Sequence, residues 1–103
     1  MPALLIARIP GNPKDVIDRL DRHSSVWNLL GTKHGLVSIS VVTAKDEVLM
    51  IETWASAEDF EQRLSVPAIA ESFQASGLAE LAATITVEGP FEIARAFPPS
   101  TAP

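Results

Sequence analysis

Each change in the spacing of apolar and polar residues along this chain marks an element. Residues 3–9 (ALLIARI) form a short apolar run closed by Pro10-Gly11, as expected of a buried strand entering a turn. Asn12 is a suitable cap, Pro13 fits the first helical position and Asp15 favours the start of a helix. Val16, Ile17, Leu20, Trp27 and Leu30 then recur on one face of a 3.6-residue period, with His23 and Ser24 midway along the stripe. Gly31 suits a left-handed cap, so one helix is predicted over 13–30.

The period next falls to two. Val37, Ile39 and Val41 alternate with Ser38 and Ser40 over 36–43, and EVLMIETW (47–54) is a second β-rich run. The short polar link Ala44-Lys45-Asp46 predicts an antiparallel hairpin. Ser56 with Asp59 has the form of a helix cap, and Phe60 and Leu64 follow one turn apart. Pro67 interrupts and restarts the helix, placing Ile69 and Phe73 on one face before Gly77. Residues 82–97 return to β character, with Gly89-Pro90 either a bulge in one edge strand or a turn between two. PPSTAP (98–103) is expected to be a flexible tail after a single domain over 1–97.

The order β-α-β-β-α-β predicts an α+β, ferredoxin-like arrangement with helices on one face of an antiparallel sheet. The strands, however, are apolar on both faces: Leu4 and Ile6 oppose Leu5 and Ile9, and Leu49 and Ile51 oppose Val48 and Met50. The helices cover one face, and a second copy of the chain is expected on the other. Each aliphatic side chain buried there contributes roughly 1.5–3 kcal/mol.

Composition narrows the chemistry. With 103 residues, 47% hydrophobic and 20% charged, the chain is a small globular domain that buries roughly two thirds of its unfolded surface. The absence of cysteine excludes disulfides, thiolate catalysis and cysteine-ligated metals. A net charge of −5 with eight Lys plus Arg supplies no basic stripe for nucleic acid. No run is long enough to span a membrane and no secretory layout opens the chain, so a cytoplasmic protein with neither membrane nor nucleic-acid partner is expected. Two histidines with scattered acids form no metal-ligand spacing, and G-x-G-x-x-G, P-loop and G-x-S-x-G motifs are absent.

The segment IETWASAEDFEQRLSVPAIAESF (51–73) resembles the strand–Trp–Ser–helix–Pro segment of the dimeric α+β barrel superfamily, in particular the antibiotic-biosynthesis-monooxygenase family. The resemblance implies a dimeric α+β barrel. It also implies oxidation of anthrone- or quinol-type aromatics by molecular oxygen, with no cofactor. Haem-degrading members are similar at Trp54 and PAIAES, but their haem-ligating histidine falls at about Ser72 and their first-strand asparagine at about Ala7. Serine offers no imidazole to haem iron, which ranks haem degradation below cofactor-independent oxygenation.

Such chemistry needs an apolar pocket, a base and hydrogen-bond donors. Trp54 is a candidate pocket wall and indole donor, or else plain core. Glu52 shares its strand face and is a candidate base, or else the partner of Arg8 or Arg95 in an ion pair. His34, in the GTKHGL loop, is a second candidate base or an exposed loop residue. Trp27 and Phe73 are candidate walls, Asn28 a candidate donor to a ligand carbonyl, and Arg8 a candidate pocket cation; His23 reads as a packed boundary residue. Two functions fit: a cofactor-independent monooxygenase acting on a hydrophobic aromatic molecule, or a non-catalytic dimer that binds such a molecule or assists another enzyme.

Overall fold

A computed structural model describes residues 1–95; the expected tail at 98–103 lies outside them. The elements are β1 (Ala3–Pro10), α1 (Pro13–Arg22), α2 (Ser24–Lys33), β2 (Leu36–Thr43), β3 (Glu47–Trp54), α3 (Ala57–Gln62), a 3₁₀ turn (Arg63–Ser65), α4 (Pro67–Ala75), a 3₁₀ stretch (Leu78–Thr84) and β4 (Thr86–Glu92). The four strands form one antiparallel sheet in the order β2-β3-β1-β4, giving the α+β, ferredoxin-like architecture expected. Among the described residues no helix is long and apolar enough to cross a membrane.

The local signals act as physical chemistry dictates. The Asn12 side chain accepts from the Lys14 and Asp15 amides, with Pro13 opening α1. Ser56 Oγ accepts from the Asp59 amide at 3.1 Å and starts α3, and Pro67 opens α4. The β2–β3 hairpin closes where the Ala44 amide donates to the Glu47 carbonyl at 2.9 Å.

Three expectations are corrected. The single helix over 13–30 is two, broken at His23, and α2 runs through Gly31 to Lys33. Ser24 and Ser25, a residue type that favours helix ends over helix interiors, follow the break, and the His23 side chain is turned inward and buried. The left-handed glycine comes later, at Gly35 (φ 87°), where the carbonyl accepts from the Ala55 amide and ties the loop to the end of β3. The last strand begins only at Thr86, because residues 78–84 are wound as 3₁₀ helix. Gly89-Pro90 lies inside β4 at a register shift against Leu4 and Ile6, and is therefore a bulge in one edge strand.

Side-chain parity divides the sheet. Ala3, Leu5, Ala7 and Ile9 of β1 and Val48, Met50 and Trp54 of β3 are buried beneath the helices. They contribute to two apolar clusters, one around Val16, Leu20 and Leu78 and the other around Val26, Leu30 and Trp54, and Trp27 packs against both. Leu4, Ile6, Leu49 and Ile51 point to the opposite face and stay partly exposed. A slip of one residue would exchange the two sets, so burial of one face fixes the register.

Candidate functional site

Between the sheet and the helices, bordered by both clusters, lies a cavity of about 480 Å³, within the range that holds small-molecule ligands. Leu5, Ala7 and Ile9 from β1 and Met50, Glu52 and Trp54 from β3 form its sheet side. The helices add Leu20, His23, Trp27 and Leu30 on one side and Phe60, Arg63, Ile69 and Phe73 on the other. Leu64 and Val87, both well exposed, also border it. The wall is apolar except where Glu52, Arg63 and His23 enter it.

Strand parity brings Glu52 and Trp54 to the same face, and the fully buried Trp54 donates its Nε1–H to Glu52 Oε1 at 3.0 Å. The indole also meets Phe60 edge-on, with centroids 5.8 Å apart. Burial pushes the Glu52 carboxyl above the usual carboxylate range, opposed by the Trp54 donor and by the positive charge of Arg63. The cation beside Glu52 is thus Arg63, whereas Arg8 points to the far face and pairs with Glu88 at 2.7 Å and Glu47 at 3.1 Å.

Arg63 is half-buried. Its guanidinium carbon sits 3.5 Å from the centroid of the Phe60 ring, and its Nη1–H donates to the Phe60 carbonyl at 2.8 Å. Burial pulls its pKa down, opposed by Glu52.

His23, at the break between α1 and α2, is 7% exposed; its Nδ1 sits 2.7 Å from Ser72 Oγ on α4, within hydrogen-bond distance. Trp27 and Phe73 flank the imidazole edge-on at 6.0 and 6.1 Å. Burial lowers its pKa, and the contact with Ser72 acts the other way.

Among solved structures, SnoaB, a cofactor-independent oxygenase from Streptomyces nogalater, superposes with a TM-score of 0.69 at 18% identity, over 95% of this chain and 98% of that one. The fold is that of the antibiotic-biosynthesis-monooxygenase-like proteins. Rv0793 from Mycobacterium tuberculosis matches over 92% of this chain and 100% of its own, with a TM-score of 0.61 at 16% identity. A proposed antibiotic biosynthesis monooxygenase from Caulobacter crescentus matches over 84% and 85%, with a TM-score of 0.66 at 12% identity. At these identities the likeness is one of fold. No family model and no curated protein matches the sequence.

Within this fold, Glu52, Trp54, Trp27 and Phe73 converge on one cavity, and the two tryptophans share it. His34 lies outside the cavity wall, capping α2 with its backbone N–H. Asn28 is exposed on α2, and Arg8 belongs to the opposite sheet face. Sequence reasoning missed Arg63 and gave His23 no place in the site. Arg63 carried a readable signal: it follows Phe60 by three residues, on the same helical face, and is the single Lys or Arg between Lys45 and Arg95. The His23–Ser72 contact joins residues 49 apart and left no local trace.

Proposed function

We propose that this chain is a cofactor-independent monooxygenase that takes a flat, electron-rich aromatic of the anthrone or quinol type into the cavity between sheet and helices. The observation that carries the reading is a mostly apolar cavity of about 480 Å³ holding one carboxyl, Glu52, pinned at 3.0 Å by Trp54. Glu52 is the base: its burial raises its proton affinity toward the working pH, where general bases are most effective. It removes a proton from the activated methylene of an anthrone, and the resulting carbanion supplies the electrons to oxygen. One oxygen atom ends as the new carbonyl, the other leaves as water with both methylene hydrogens, and no external reductant is consumed. The fold shared with a cofactor-independent oxygenase supports the same reading.

The test is oxygen uptake with anthrone in metal-free buffer. Saturable uptake at one oxygen per anthrone, abolished in Glu52→Gln while Trp emission still reports anthrone binding, is the expected result. Uptake at the buffer rate despite saturable binding selects the second reading, a non-catalytic binding or accessory protein.

The functional unit is proposed to be a homodimer joined through the open sheet face. Leu4, Ile6, Leu49 and Ile51 lie on that face, where Phe91 and Val42 add 50% and 41% exposed side chains. Covering them with a second copy removes an apolar patch of the kind that marks association surfaces.

A further inference from the structure

We propose that Arg63 receives an anionic group on the ligand, so that the cavity selects aromatic molecules bearing a carboxylate or an ionised phenol over their neutral counterparts. The inference rests on the reading of the cavity as an aromatic-binding site and adds the class of molecule it takes.

Arg63 is the cation of the cavity wall, and among the described residues it makes no ion pair. Asp59, one helical turn earlier, has its carboxylate against Gly35, where a Cβ would come within 2.5 Å of Asp59 Oδ2. Glu52 acts on Arg63 through space but is hydrogen-bonded to Trp54. One guanidinium N–H is used by the Phe60 carbonyl. None of the described side-chain nitrogens is a buried orphan, so the unused donors of Arg63 face open space.

A half-buried guanidinium whose one neighbouring carboxyl, Glu52, is hydrogen-bonded elsewhere is an unusual thing to keep beside an apolar cavity, since burial without direct pairing is unfavourable for a charge. The arrangement becomes favourable when the planar fork meets a carboxylate or phenolate, with which it forms short charge-assisted bonds. Phe60 beneath the guanidinium holds it by cation–π contact at 3.5 Å and limits the ordering that binding requires. The other titratable groups in the wall are compatible with an anion. Glu52 is already engaged by the Trp54 indole N–H, and the His23 Nδ1 lies against Ser72 Oγ, so both are held by partners other than Arg63.

The experiment is calorimetric titration of the full chain with naphthoate and with its neutral isostere naphthamide. Naphthoate is expected to bind about tenfold or more tightly than naphthamide. Arg63→Met, which keeps the apolar stem, should bring the two to equal affinity, and Arg63→Lys should retain part of the preference because it keeps the charge without the fork. Circular dichroism and thermal melting matching the unmodified protein certify the fold of both variants. Equal affinities in the unmodified protein, or a preference that survives Arg63→Met, overturn the inference while leaving the aromatic site in place. Binding of neither probe overturns both.

Discussion

The two faces of the sheet are built from the same strands and have opposite fates. On the helix-covered face, Val48, Met50 and Trp54 are buried, and the one carboxyl among them, Glu52, is hydrogen-bonded to an indole and raised in pKa by desolvation. On the open face of the same strand, the half-buried Glu47 shares Arg8 with the exposed Glu88 in ion pairs open to solvent, among aliphatic side chains that none of the described helices covers. One β-strand thus carries two glutamates five residues apart, one placed where its charge costs free energy and the other where water screens it. Identity of residue type says little about role; the face decides it.

Removing the anchor of the covered face should have the largest effect. Trp54→Ala deletes a fully buried indole and the donor to Glu52, at a cost of about 3–5 kcal/mol, a large share of the stability of a small domain. Urea denaturation should show a midpoint far below that of the unmodified chain; an unchanged midpoint would mean that Trp54 is not core.

The open face can be broken next. If a second copy covers it, Ile51→Lys places a charge in that interface, loses roughly 1.5–3 kcal/mol of burial and should leave a monomer by light scattering at micromolar protein. A monodisperse monomer before mutation refutes the dimer and makes this face a wet one.

Glu52→Gln sharpens the contrast between the two carboxylates. Because the folded-state pKa of Glu52 is raised by burial, its protonated form favours folding, and its contribution is lost as pH climbs through the carboxylate range and above it. Melting followed against pH should therefore show Glu52→Gln flattening that loss and exceeding the unmodified protein above the window. His23, lowered by burial, acts in the opposite sense: its contribution is present above its unfolded pKa and is lost as pH falls through the folded one. Identical pH profiles for the Gln variant and the unmodified chain would place Glu52 in water.

Arg8→Met should do least. Glu88 is exposed and Glu47 only partly buried, and ion pairs open to solvent contribute little and are screened by salt. Melts at low and high salt should nearly coincide with those of the unmodified protein, and a large salt-independent loss would show that Arg8 supports more than a solvated pair.

How much of this was readable beforehand depends on whether the signal was local. The caps at Asn12 and Ser56, the restart at Pro67, the β2–β3 hairpin and the common face of Glu52 and Trp54 all rest on contacts within a few residues, and all are present in the structure. The helix break at His23 was not legible: in sequence the stripe through Leu20, His23, Trp27 and Leu30 continues without interruption. In the fold, His23 meets Ser72 across the space between two helices. His34 shows the converse, a histidine of the right type whose loop is tied to the end of β3 outside the cavity wall.

The sequence by itself determined the β-α-β-β-α-β order, the parity of β1 and β3 and the two-sided apolar character of the sheet, because helix capping, turn chemistry and alternation act over one to four residues. Tertiary structure alone decided which charged groups meet. Whether Glu52 faces Arg8, Arg95 or Arg63 depends on how β3 registers against β1 and where the turn after α3 lies, and those are properties of packing between segments far apart in the chain.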